Sequence, residues 1–119
     1  MTKPRTRLLA AAATCAVLAL PAFGAAPASA ATTCSKLGAY PGQGYFTSLK
    51  VTNISCAGGK DVMRGHYRCR IKNGIKGRCR SFNGWSCTET RQAISTEYNA
   101  RVICKKSGRT VNYTYSQDT

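Results

Sequence analysis

Tyr98-Asn99-Ala100-Arg101-Val102-Ile103-Cys104-Lys105-Lys106-Ser107-Gly108-Arg109-Thr110-Val111-Asn112-Tyr113-Thr114-Tyr115 reads as two strands joined by a turn. Successive side chains of an extended chain point to opposite sides, so Tyr98, Ala100, Val102 and Cys104 share one face. Lys105 to Arg109, centred on Ser107-Gly108, supplies the turn. The β-branched and aromatic run Thr110 to Tyr115 returns as the partner strand of a hairpin. A sheet with one apolar face needs a second layer to cover it, and the rest of the chain must provide that layer.

Towards the N-terminus, Gly84-Trp85-Ser86-Cys87-Thr88 reads as a short strand with Trp85 or Cys87 on the buried face. Arg70 to Asn83 is basic and dotted with Gly74 and Gly77, which predicts a mobile loop held at Cys79. Between Cys56 and Cys69, Val62, Met63 and Tyr67 stand at helical spacing behind Ser55, a fitting N-cap, and predict a helix of about three turns. Gly58, Gly59 and Gly65 weaken it, each by up to about 1 kcal/mol relative to Ala. Disulfides at both ends would offset that loss. Tyr45 to Ile54 predicts a first strand, with Leu49, Val51 and Ile54 turned to one side after a local irregularity. Ala31 to Gly44 is expected to be a loop-like arm pinned at Cys34. The order strand, helix, loop and three strands predicts an α+β fold: one short helix packed on a small antiparallel sheet, stapled by disulfides.

The first thirty residues have another purpose. Lys3, Arg5 and Arg7 precede an uncharged run from Leu8 to Leu20, and small residues then lead to Ala28-Ser29-Ala30. This is the layout of a cleavable signal peptide over residues 1–30, cut after Ala30. The apolar run of about thirteen residues would cover only about 20 Å, short of the roughly 30 Å hydrocarbon core, which argues against a transmembrane anchor. Neither Cys15 nor Cys34 has the preceding Leu of a lipoprotein signal, and Arg5 and Arg7 are split by Thr6, unlike a twin-arginine signal. The expected product is a secreted, extracellular single domain, residues 31–119.

A domain of 89 residues buries too little surface for its core alone to be secure. Cys15 leaves with the leader, and Cys34, Cys56, Cys69, Cys79, Cys87 and Cys104 remain. An even number in a short exported chain predicts three disulfides, each contributing about 2–4 kcal/mol, although six cysteines allow 15 pairings. Intervals of 22, 13, 10, 8 and 17 residues with His66 as the single histidine do not match a zinc site, so no metal or other cofactor is expected.

The segments Val51-Thr52-Asn53-Ile54-Ser55-Cys56, Tyr67-Arg68-Cys69, Gly84-Trp85-Ser86-Cys87, Glu97 to Cys104 and Tyr115-Ser116-Gln117-Asp118-Thr119 span most of residues 31–119. With this cysteine framework and its aromatic flanks, the chain resembles a family of small secreted cysteine-rich domains of actinobacteria. The resemblance implies no catalytic residues.

Charge supplies the functional expectation. Of the 18 Lys and Arg, 15 lie in residues 31–119 against four acids, Asp61, Glu89, Glu97 and Asp118, giving a formal net charge of +11. Lys60, Arg64, Arg68, Arg70, Lys72, Lys76, Arg78 and Arg80 concentrate eight cations in 21 residues, opposed only by Asp61. Lys60, Arg64 and Arg68 recur every fourth residue and would share a helical face that leads into the basic loop. Such a stripe predicts binding of an anionic extracellular polymer or surface: wall polymer, anionic lipid or nucleic acid. The bland alternative is a solvated face that keeps a secreted monomer soluble. The closed loop from Arg70 to Arg80 would also suit an inhibitor, toxin-like or other protein-interaction module. A third possibility is a small nuclease using Glu97 as base, His66 as acid and Arg101 to steady the phosphorane, which requires the three to converge. Asn53-Ile54-Ser55 and Asn112-Tyr113-Thr114 match the glycosylation pattern and are read as coincidental.

Overall fold

The structure, a computed structural model, describes Ala16 and residues 29–119; the segment read as a signal peptide, residues 1–30, otherwise lies outside the described residues. The chain order is β1 (Thr32–Thr33), β2 (Gly44–Thr52), α1 (Cys56–Ile71), β3 (Ser81–Phe82), β4 (Trp85–Ala93), β5 (Glu97–Lys106) and β6 (Arg109–Asp118). The strands form one antiparallel sheet in the order β1-β2-β6-β5-β4-β3, with α1 on one face. The α+β architecture expected from the sequence is therefore present. Strands β3 to β6 run as a meander that ends beside β2, and α1 carries the chain from β2 to the far edge of the sheet.

The hairpin that anchored the sequence reading is β5–β6. Tyr98, Ala100, Val102 and Cys104 are all buried, facing the helix side with Val111, Tyr113 and Tyr115. Ser107 and Gly108 both take positive φ, 47° and 75°, the geometry whose twist matches that of the flanking strands. In β2 the register slips between Phe46 and Ser48, a bulge that accounts for the irregularity ahead of Leu49 and Val51.

Ser55 accepts a hydrogen bond from the Gly58 amide at 3.0 Å, capping α1 as its position predicts. Val62, Met63, His66, Tyr67 and Arg70 form the buried stripe. The cost of Gly59 in helix propensity has a packing reason, because a Cβ there would collide with Val51; its absence lets α1 lie close to β2.

The disulfides are Cys34–Cys56, Cys69–Cys79 and Cys87–Cys104. The first two fix the ends of α1 to the arm and to the loop, and the third joins directly opposed residues of β4 and β5. Three such bonds fit an oxidising compartment. No helix among the described residues is long and apolar enough to cross a membrane.

Three local expectations need correcting. The arm contains a two-residue strand, β1, paired with β2. The strand expected over Gly84 to Thr88 runs to Ala93 as β4, and Ser81–Phe82 pairs with its start through an Asn83-Gly84 turn with φ of 47° and 80°. The loop expected to be mobile is held by side chains from beneath.

Candidate polyanion-binding surface

Residues 72–80 leave the end of α1 and return to the sheet edge, closed at the base by Cys69–Cys79. Every carbonyl oxygen from Gly74 to Arg80 accepts a hydrogen bond. Gly74 O takes the Gly77 amide at 2.8 Å, and Arg80 O takes the Cys87 amide at 2.8 Å. Ile75 O accepts from Arg70 Nη1 and from the Tyr98 hydroxyl, each at 2.8 Å. Arg91 donates to Lys76 O at 2.8 Å and Gly77 O at 2.7 Å. Arg78 O accepts from Asn73 Nδ2 at 3.3 Å, and Cys79 O from His66 Nε2 at 3.1 Å. With its acceptors satisfied in this way, the loop has a fixed path, and its side chains Lys72, Lys76, Arg78 and Arg80 are exposed.

The groups that fasten the loop come from the covered face of the sheet. Arg70, one of the eight predicted binding cations, is only 1% exposed and cannot reach a polymer. It falls three residues after Tyr67 and seven after Met63, on the buried stripe of the helix. There its guanidinium donates to Tyr98 Oη at 2.6 Å and Tyr40 Oη at 2.7 Å, lies 3.4 Å from Gln117 Oε1, and has Cζ 4.6 Å from the Tyr115 ring centroid. Arg91 lies over the Tyr98 ring at 4.5 Å and pairs with Glu89 at 2.8 Å. The Glu89 side chain is only 4% exposed, and its other oxygen accepts from the Tyr115 hydroxyl. Burial raises the pKa of Tyr115, and the hydrogen bond and charge of Glu89 reinforce the shift, so its phenol remains a donor.

His66 is fully buried, and desolvation lowers its pKa below the ordinary histidine value, with Glu89 opposing that shift. A carbonyl can only accept, so Nε2 carries the proton towards Cys79 O. Nδ1 then accepts from the Tyr113 hydroxyl. His66, Arg70, Glu89 and Arg91 thus tie helix, loop and sheet together. Sequence reasoning missed this inner set, although the phase of Arg70 with Met63, His66 and Tyr67 was the signal available.

The remaining seven candidates differ in exposure. Lys60 and Arg64 are half-buried at the margin of α1, and Arg68 is exposed. Arg68 adjoins one half-cystine of Cys69–Cys79 in the chain, and Arg78 and Arg80 flank the other. Arg78 Nη1 donates to Glu89 O at 3.1 Å and lies 3.8 Å from its carboxylate, yet the Arg78 side chain is 53% exposed. Cations at the end of α1 also complement the helix dipole, a purely structural reason for Arg68 and Lys72.

The nuclease trio does not assemble. His66 lies between helix and sheet, whereas Glu97 and Arg101 belong to the β5 face that alternates away from Tyr98 and Ala100. Among the described residues no three His, Cys, Asp or Glu side chains cluster as metal ligands. Of the two Asn sequons, Asn53 donates through Nδ2 to Gly108 O at 2.9 Å, and Asn112 is half-buried within β6. No family model matches the chain, no curated protein matches its sequence, and no solved structure matches its fold.

Proposed function

We propose that the protein, exported through a cleavable leader over residues 1–30, is a monomeric, cofactor-free module that binds anionic polymers outside the cell. The binding surface is the outer margin of α1 and the Cys69–Cys79 loop, with Lys60, Arg64, Arg68, Lys72, Lys76, Arg78 and Arg80 as its cations. The observation that carries this reading is the fastening of residues 74–80, whose carbonyls are all engaged while the neighbouring cations face solvent. A polymer would meet charges on a backbone already ordered, avoiding part of the ordering cost of association. Within residues 60–80 Asp61 is the single acid, and nearby Glu89 is turned inward onto Arg91 and Tyr115.

Reversing Arg64, Arg68, Arg78 and Arg80 to Glu tests the reading. Retention on immobilised poly(glycerol phosphate) at low salt should disappear while the three disulfides and the circular dichroism spectrum persist. Unchanged retention would refute it. Ile75, 59% exposed on the same loop, favours a second reading as a protein-interaction module. Partner binding that persists in high salt would identify that mode.

A further inference from the structure

A groove of about 490 Å³ runs between the end of the basic loop and the edge of β4, lined by Arg78, Cys79, Arg80, Ser86, Cys87, Thr88 and Glu89. We infer that this groove is a phosphate subsite, in which Arg78 and Arg80 meet the charge of one phosphodiester group and the Ser86 and Thr88 hydroxyls donate to its oxygens. This inference rests on the polyanion reading and deepens it, because it makes the contact selective for phosphate over other anions.

The groove has the chemistry such a group needs. The Arg80 side chain is exposed and makes no hydrogen bond or ion pair among the described residues, and Arg78, which is 53% exposed, donates from Nη1 to the Glu89 carbonyl at 3.1 Å and lies 3.8 Å from its carboxylate, with Nε and Nη2 free of partners among the described residues. Neither the Ser86 nor the Thr88 hydroxyl is engaged among the described residues, so both keep donors for a ligand. The one acid in the lining does not repel an anion strongly, because Glu89 is held by Arg91 and Tyr115 with its side chain buried. The Cys87 amide to Arg80 carbonyl bond and the Cys69–Cys79 and Cys87–Cys104 disulfides fix both walls. A phosphate group offers oxygens in three dimensions and can take donors from a loop and a strand at once, whereas a carboxylate offers two in one plane.

The polymer expected here is a phosphodiester chain without bases. Stacking on aromatic side chains is the usual means of holding single-stranded nucleic acid, and the one aromatic residue in 60–80, Tyr67, is buried.

The test uses the disulfide-bonded protein and three probes of matched charge: poly(glycerol phosphate), poly(glutamate) and a single-stranded oligonucleotide. The Ser86→Ala/Thr88→Val double variant removes two donors without changing charge at exposed positions, and should weaken poly(glycerol phosphate) binding by about tenfold while leaving poly(glutamate) binding unchanged. Arg80→Lys keeps the charge but loses the planar fork, and should show the same selective loss with an unaltered salt dependence. Equal affinities of the two variants and the parent for poly(glycerol phosphate) would overturn the subsite and leave the general polyanion reading standing. Failure of the parent protein to bind any probe would overturn both. An oligonucleotide bound tenfold more tightly than poly(glycerol phosphate) would overturn the assignment to a base-free polymer.

Discussion

Arg68 and Arg70 stand on either side of Cys69, carry the same charge, and end up in opposite environments. Arg68 is open to solvent, whereas Arg70 is sealed among Tyr40, Tyr98, Tyr115 and Gln117. The difference is one of helical phase: Arg70 continues the stripe of Met63, His66 and Tyr67, and Arg68 lies off it. The contrast extends to the loop, where inward Arg91 holds the carbonyls of Lys76 and Gly77 and outward Arg78 and Arg80 are displayed. The cations in and around the basic segment therefore fall into two populations, Arg70 and Arg91, which build the loop, and those that the loop presents.

The largest effects should come from the inner population. Arg70→Ala leaves two phenols and the Ile75 carbonyl without a charged donor, together with a cavity, and should lower stability by about 3–5 kcal/mol in urea titration. Arg68→Ala should stay within about 0.5 kcal/mol. Equal losses at the two sites would break the comparison. Arg91→Met leaves Glu89 buried without its close partner and frees two loop carbonyls, and should cost about 3 kcal/mol. It should also speed amide hydrogen exchange across residues 74–80 more than elsewhere, because those carbonyls help to fix the loop.

A smaller effect should appear with pH. The folded pKa of His66 is lowered, so the unfolded chain binds its proton more readily. The stabilisation is complete above the unfolded value of about 6.5 and is lost as pH falls through the lower folded value. His66 is the only histidine, so His66→Gln should remove most of the slope of stability against pH just below 6.5. An unchanged slope would show that His66 does not titrate with unfolding.

The readings that succeeded rested on local signals. Alternation from Tyr98 to Cys104, the Ser55 cap and the parity of six cysteines each predicted what the structure contains. Strand β4 was harder to see, because its inward positions after Cys87 are Glu89 and Arg91. Charge at buried sites broke the apolar alternation that marks a strand. The Asn83-Gly84 pair was a usable hairpin signal for β3, obscured by the basic loop around it. Disulfide pairing depended on sheet register and on where the loop returns, neither of which spacing determines. The phosphate groove likewise needs Arg80 and Thr88 brought together across the sheet edge, a long-range consequence of the fold.

The dependence of poly(glycerol phosphate) affinity on salt tests the central claim most directly. If the outward cations of α1 and the loop hold the polymer, the logarithm of the association constant should fall linearly with the logarithm of salt concentration, with a slope of about −3 or steeper for four or more neutralised phosphates. A slope shallower than about −1, or no binding at low salt, would contradict the account.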